Sequence, residues 1–423
     1  MLKIKILGSG QEVGRAGILI SVDKNNVLLD YGVELGEEEP RFPLTVPPKA
    51  LSAVVLTHAH LDHSGALPLL YISANPPLYT NNLTIDLSEI LLNDFLKISK
   101  YYVPYESVEI SATKRNFVNV NYDEVFKVNN LELRLYNAGH IPGSSMVFIK
   151  TENHNIVYTG DFNINDSCLL SSAPLKPFKE ADVVIMEGTY ASYDHPVRKQ
   201  NEKIFVDCIE EVLGNKGTVL IPSFAVGRAQ EILCVLAKYD VSYPIYLDGM
   251  ARLVSELLAR NKAMLRSPKL FKKAYSMARK INGWEMRKRA LREPSIIISP
   301  AGLLKGGASV FYMEKVMDDS RNAVFFVSYL MKETPARKVI ETGVFTSEKK
   351  MGSVKARVEW FDFSSHCGRG DLLKVVDAAR KSSRIILVHS EKEVGEEFAR
   401  YLIEEKNKEV YFPKTGEEIV IER

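Results

Sequence analysis

The chain has 423 residues, 46% apolar and 26% charged, with a net charge of +2. It is long enough for two domains and a large core, and its overall charge excludes a polycation. No apolar run approaches a membrane span, and Cys168, Cys208, Cys234 and Cys367 show no close pairing, so free thiols in a reducing, cytoplasmic setting and no membrane partner are expected.

The chain opens on a strand over 2–7 with no signal-peptide shape. A glycine-rich turn follows at Gly8-Ser9-Gly10-Gln11-Glu12-Val13-Gly14-Arg15. It is no dinucleotide fingerprint, because strands at 17–22 and 27–29 come next instead of a helix. Asp30 ends the second of these. It serves equally as a turn residue or as a carboxylate orienting a metal-binding histidine from behind. A short buried strand over 51–56 leads into Thr57-His58-Ala59-His60-Leu61-Asp62-His63-Ser64-Gly65, with a helix beginning in 66–72. His58, His60, Asp62 and His63 are thereby placed in a loop. The spacing does not match the helical pair of a zinc protease; it suits two adjacent metals, one fed by His58 and His60, the other by Asp62 and His63.

A helix over 84–100 comes next, then strands at 125–128 and 131–136 joined by Asn129-Asn130. His140 follows the second strand, and in a chain that already holds a metal loop a ligand role outweighs a structural one. The next hairpin, 146–150 with 155–158, carries His154 in its tip as a solvated turn residue. Asp161 lies just past that hairpin and is the candidate bridge between two metals. The buried strand 181–186 ends at Glu187. One sheet edge, or the edges of two packed sheets, would collect these side chains.

From about residue 190 helices alternate with short buried strands: 202–213, 218–221, 228–238, 245–247, 251–260 and 296–298. That alternation predicts a parallel sheet. The loop Pro222-Ser223-Phe224-Ala225-Val226-Gly227-Arg228 precedes a helix and is a candidate anion site, as is the loop around 299–309. Residues 251–292 hold thirteen Lys or Arg against two acids, Lys272, Lys273, Lys288 and Arg289 among them. A polyanion or a solvated helix face would account for that run. Beyond 355 strands return at 358–363, 384–388, 410–412 and 419–421. His366 and His389 each follow a strand and supply one more metal ligand and one proton donor.

In this order these residues resemble the metallo-β-lactamase superfamily, and more narrowly its β-CASP nucleases. Asp30, His58 to His63, His140 and Asp161 match the lactamase-fold motifs; Glu187, His366 and His389 match the β-CASP motifs. The stretches 8–15 and 222–230 are similar to the RNA-cleaving subunit of the cleavage and polyadenylation specificity factor and its archaeal relatives. Ala16-Gly17 stand where most of that subfamily has a Ser-Cys pair, at positions that match no ligand. With no room before Leu2 for the RNA-binding domains of the longer archaeal relatives, a short form is expected.

The resemblance implies an α/β (α+β) architecture: an αββα metallo-β-lactamase sandwich over 1–189 and 359–423, interrupted at 190–358 by an α/β β-CASP domain with a parallel sheet. It implies two zinc ions, one held by His58, His60 and His140, the other by Asp62, His63 and His389, with Asp161 bridging. Asp62 counts among the catalytic residues as well as the ligands. A hydroxide held by the two metals would attack phosphorus, and His366, polarised by Glu187, would protonate the leaving oxygen. The expected activity is phosphodiester hydrolysis of single-stranded RNA in mRNA processing or decay, by 5′→3′ exonuclease or endonuclease action, leaving a 5′ phosphate. His195, Ser223, Arg228 and the four basic residues named above are the candidate RNA contacts, with a structural role equally open for His195. A homodimer is compatible with this reading. A small-molecule thioester or lactam hydrolase would leave the insert, His366 and Glu187 idle, and a silent RNA-binding scaffold would leave the ligand set unused.

Overall fold

The computed structural model describes residues 1–35, 39–99, 102–330 and 333–422. The chain forms two compact units: Met1–Asp166, Ser171–Asp194 and Ser365–Arg423 make one, Ser167–Leu170 and His195–Ser364 the other. The main segment of the second unit starts a few residues after the start of the expected 190–358 insert and ends a few residues after its end, and Ser167–Leu170 joins it. No helix among the described residues is long and apolar enough to cross a membrane.

The first unit is built on two seven-stranded mixed sheets. In one, Glu418–Ile421, Leu2–Gly8, Gly17–Val22 and Asn25–Leu29 run antiparallel, and Ala53–Val55, Leu78–Thr80 and Phe117–Asn119 continue in parallel. The other repeats this plan: Val125–Val128, Leu131–Asn137, Ser145–Lys150 and Asn155–Tyr158 are antiparallel, followed by parallel Val183–Glu187, Arg384–Val388 and Val410–Tyr411. Alternation decides which faces meet. Leu2, Ile4 and Ile6 are buried while Lys3 and Lys5 are half-buried on the opposite side. Inward-facing residues of both sheets, among them Ile4, Val27, Val55, Leu133, Val147, Ile156, Val183 and Ile386, form one core. Two further apolar layers cover the outer faces. One holds the helices Asn82–Ser99 and Ser107–Arg115; the other holds Lys176–Glu180, Arg369–Ala378 and Lys392–Glu404. The result is an αββα sandwich. The helix expected over 84–100 starts two residues earlier because the Asn81 side chain accepts the Thr84 amide at 2.9 Å. Its expected end, Lys100, lies outside the described residues.

The second unit contains a six-stranded sheet, ordered Ala278–Lys280, Ile245–Leu247, Ile296–Ser299, Val219–Pro222, Ala323–Phe326 and Arg357–Trp360. Every neighbouring pair is parallel. Ile296, Ile297 and Ile298 are all fully buried, as a strand covered on both faces requires. Two expectations change here. The strand expected at 358–363 is Arg357–Trp360, the edge of this sheet and not part of the sandwich. Asp62 and His63 lie on a one-turn helix, Leu61–Ser64, instead of in an open loop, with a 3₁₀ turn, Leu67–Tyr71, behind it.

Candidate metal centre

Strand ends of the first unit deliver the polar side chains. Asn25–Leu29 ends before Asp30, Ala53–Val55 before Thr57 and His58, Leu131–Asn137 before His140, and Asn155–Tyr158 before Asp161. Val183–Glu187 ends in Glu187 itself, and Arg384–Val388 is followed by His389. His366 departs from this rule: it follows no strand of the sandwich and sits just before the helix Arg369–Ala378. Two glycines allow the close approach. A Cβ on Gly32 would lie 1.8 Å from the Asp62 carbonyl oxygen, because the backbone at 60–63 is laced to 31–33. Tyr31 N donates to His63 O and Val33 N to Leu61 O, each at 2.8 Å. Gly160, at φ +51, packs on the Thr57 side chain.

The donors fall into two sets that share one carboxylate. Ligand atoms of His58, His60, His140 and Asp161 lie within 4.8 Å of one another, and so do those of Asp62, His63, Asp161 and His389. Asp161 Oδ2 stands 3.6 Å from both His58 Nε2 and His140 Nε2. Its Oδ1 stands 3.4 Å from His63 Nε2 and 3.6 Å from His389 Nδ1. His389 Nε2 lies 3.4 Å from Asp62 Oδ2, and His60 Nδ1 lies 3.2 Å from His140 Nε2. Ligands about 2.1 Å from a tetrahedral ion are separated by roughly 3.4 Å, so these spacings fit such ions. His58 Nε2, His63 Nε2, His389 Nε2 and Asp161 Oδ1 are buried and make no hydrogen bond. Four orphaned polar atoms spread over the two donor sets would cost several kcal/mol without cations beside them. The donor set therefore fits divalent metal.

Behind the donors, a layer of hydrogen bonds fixes which ring nitrogens face inward. Asp30 is fully buried in a left-handed conformation at φ +57. Its Oδ2 accepts from the Thr57 hydroxyl at 2.8 Å, His63 Nδ1 at 2.7 Å and the Tyr158 hydroxyl at 3.0 Å, and its Oδ1 accepts the Thr57 amide at 2.7 Å. A carboxylate only accepts, so the His63 hydrogen sits on Nδ1 and Nε2 offers a lone pair. The Thr57 hydroxyl also touches His58 Nδ1 at 3.0 Å. His140 Nδ1 donates to the Ser365 carbonyl at 3.1 Å, and the Thr189 hydroxyl lies 3.1 Å from His389 Nδ1. Burial pushes His58, His60 and His140 below the ordinary imidazole range, which keeps them neutral and able to ligate.

His366 forms a third set with Glu187 and Asp161. Its Nδ1 lies 2.7 Å from Glu187 Oε1, and its Nε2 lies 4.0 Å from Asp161 Oδ2. Glu187 is held in turn by the Phe162 amide at 3.1 Å and the Thr189 amide at 3.3 Å. Burial would depress the His366 imidazolium, but the Glu187 and Asp161 carboxylates outweigh it and hold it up at about 9.

All seven expected ligands, together with Asp30, Glu187 and His366, thus meet in the first unit. The candidate RNA contacts lie in the second. His195 Nδ1 is 2.7 Å from Asp362 Oδ2, Ser223 is fully buried, and Arg228 begins the helix Arg228–Lys238. Lys273 pairs with Asp240 at 2.5 Å, Lys288 with Glu285 at 2.8 Å and Arg289 with Glu293 at 3.7 Å, while Lys272 is exposed. Sequence reasoning missed Tyr158, Thr189 and Asp362. Thr189 stands two residues after Glu187 and is findable by adjacency; nothing in the chain ties Tyr158 to Asp30 or Asp362 to His195.

The metallo-β-lactamase superfamily model matches residues 13–208, the Beta-Casp domain model 229–339, and the model of the Zn-dependent metallo-hydrolase RNA specificity domain 351–413. The chain is 42% identical to RNase aCSPSF2 of Saccharolobus solfataricus over 98% of its own length and 85% of that protein. It is 34% identical to the probable RNase MJ4 of Methanocaldococcus jannaschii over 99% of its length and 100% of that protein. Identity is also 34% to the transcription termination factor FttA of Pyrococcus abyssi, covering 92% of this chain and 67% of that one. A crystal structure of a protein of unknown function from Enterococcus faecalis V583 shares the fold, with a TM-score of 0.64 at 17% identity over 99% of this chain and 100% of that one. The chain belongs to the metallo-β-lactamase superfamily, as a β-CASP member similar to archaeal relatives of the cleavage and polyadenylation specificity factor nuclease.

Proposed function

We propose that this protein is a zinc-dependent ribonuclease that hydrolyses phosphodiester bonds of single-stranded RNA, acting in mRNA processing or decay. The observation that carries the reading is the sharing of Asp161 between two donor sets with the His366–Glu187 pair beside it. His58, His60 and His140 would hold one ion, Asp62, His63 and His389 the other, with Asp161 between them. Bound zinc supplies water activated near neutral pH and neutralises charge on the phosphate. The remaining need is a proton for the 3′ oxygen as its bond to phosphorus breaks. His366 is placed to give it: Glu187 anchors Nδ1, so the ring presents Nε2 to the donor cluster. The products carry a 3′ hydroxyl and a 5′ phosphate, and solvent restores the His366 proton. Two relatives bearing ribonuclease names at 42% and 34% identity support RNA as substrate.

The cleavage mode we infer is 5′→3′ exonucleolytic, with endonucleolytic cutting as a second mode. The chemistry is the same for both, so the test compares a linear 5′-monophosphate RNA with a circle of the same sequence. Slow cutting of the circle is expected; equal rates would overturn the preference. Metal quantification on active protein tests the ions: about two zinc per chain is expected, and active protein free of transition metal would sink the assignment.

A further inference from the structure

The connection between the strands Leu131–Asn137 and Ser145–Lys150 carries His140, and side chains outside both donor sets hold its shape. Ala138 N donates to Ser144 O at 3.0 Å, which closes the connection on itself. The Ser144 hydroxyl accepts the His140 amide at 3.1 Å and the Ile141 amide at 3.3 Å. Gly143 turns its carbonyl toward the start of the helix Asn82–Ser99. That oxygen accepts Asn81 Nδ2 at 2.6 Å and the Thr84 hydroxyl at 2.8 Å. Asn81, Thr84 and Ser144 are all fully buried.

Helix capping accounts for only half of this arrangement. Asn81 Oδ1 accepts the Thr84 amide at 2.9 Å and so caps the helix. Asn81 Nδ2 and the Thr84 hydroxyl take no part in that cap; both converge on one oxygen, 62 and 59 positions away. Reversing the Asn81 amide would set donor against donor at Thr84 and acceptor against acceptor at Gly143, so its orientation is fixed. On the other flank, Ser145 N donates to Thr57 O at 2.8 Å, one residue before His58. His140 is thus carried by a short turn pinned between a long helix and the segment that bears His58. Its Nε2 stands 3.6 Å from Asp161 Oδ2 and 3.2 Å from His60 Nδ1, and such a constellation tolerates a displacement of only about 0.5 Å.

We propose that Asn81 and Thr84 are positioning residues for His140: through the Gly143 carbonyl they set the zinc affinity of one site of the metal centre. His140 shares a donor set with His58, His60 and Asp161, and the set that holds Asp62, His63 and His389 does not include it. The effect is therefore confined to one ion. This role rests on zinc binding as proposed above, not on RNA as substrate.

Thr84→Val removes the hydroxyl and keeps the branched shape, whereas Thr84→Ser keeps the hydroxyl. Zinc-loaded protein challenged with a competing chelator reports the affinity of each ion, and circular dichroism reports the fold. Thr84→Val should weaken one ion about tenfold or more and leave the other unchanged, while Thr84→Ser should hold both as the parent does. His140→Ala should weaken the same ion, and adding Thr84→Val to it should weaken that ion no further. Asn81→Asp keeps an oxygen for the helix cap and loses the donor to Gly143; it should show the same selective loss, and it serves should Thr84→Val fail to fold. A folded Thr84→Val protein with both parental affinities overturns the proposal. So does an equal loss of both ions, or an undiminished further loss in the His140→Ala background, since either marks general loosening. A parent that binds no zinc overturns it together with the metal centre. A parent that binds two ions and cuts no RNA refutes only the ribonuclease reading, and the affinities still judge the positioning role.

Discussion

At the scale of single residues, the division of labour between His366 and His389 is open to direct test. His366 touches Glu187, and its Nε2 stays 4.0 Å from the shared Asp161, farther than His58, His63, His140 or His389. His366→Ala should therefore retain metal while turnover falls about 10²–10⁴-fold, the usual worth of a general acid. His389 faces both Asp62 and Asp161, so His389→Ala should weaken one metal site, read by metal content after dialysis. A His366→Ala protein that loses an ion would reverse the roles. Asp30 makes a sharper case. Both of its oxygens accept hydrogen bonds, from the Thr57 amide, the Thr57 and Tyr158 hydroxyls and His63 Nδ1. Asparagine keeps the size and tolerates the left-handed backbone, but its amide nitrogen must then face a donor whichever way it turns. Asp30→Asn is expected to cost about 10–100-fold in metal affinity with the fold intact, as circular dichroism and competitive chelation would show. Asp30 illustrates what sequence allows: its position past a strand was visible, but the choice between turn residue and orienting carboxylate needed His63 and Tyr158 beside it.

At the scale of elements, the turn Leu61–Ser64 is pinned on the backbone of 31–33, and Gly32 is what admits it. A methyl group there would overlap the Asp62 carbonyl at 1.8 Å. Gly32→Ala should therefore displace Asp62 and His63 together, lowering stability by about 1–3 kcal/mol or more and emptying one metal site; the denaturant midpoint and metal content are the readouts. In the second unit, Glu202 is buried with only 2% of its side chain exposed and pairs with Arg198 at 3.1 Å and Lys238 at 2.6 Å. Burial would raise its carboxyl, yet Lys238 and Arg198 hold it below its ordinary value. A depressed carboxyl contributes stability above its unfolded pKa, about 4.3, and loses it as pH falls through the folded value. Acid unfolding of the protein should thus be shallower in Glu202→Gln, and an unchanged pH slope would remove Glu202 from the account.

At the scale of the whole molecule, the basic run 251–292 is less available than its composition suggests. Lys273, Arg287, Lys288 and Arg289 are each paired, with Asp240, Asp248, Glu285 and Glu293, three of which lie outside the run. Neutralising Lys272, Lys273, Lys288 and Arg289 together should still flatten the plot of log RNA affinity against log salt, but by the equivalent of only about one or two phosphates. A slope equal to the parent's would return these residues to a solvated face.

The sequence by itself determined the periodicities and the chemistry of the loops. Two-residue alternation in 2–7 and unbroken apolar runs such as 296–298 are local properties, set by which faces must be buried, so the sandwich strands and the parallel sheet were legible. Histidines and carboxylates clustered past strands were legible for the same reason, since a strand end is where a side chain can leave the core. Only the tertiary structure decided how those ends meet. Asp161 splits its oxygens between two histidine sets because strands distant in sequence end side by side. Tyr158 reaches Asp30 across 128 positions, and Ser365 reaches His140 across 225. Arg357–Trp360 reads as any half-buried strand, and its place on the edge of the six-stranded sheet follows from pairing with Ala323–Phe326. Such contacts depend on backbone register between elements far apart in the chain, and no local pattern of polar and apolar residues encodes that register.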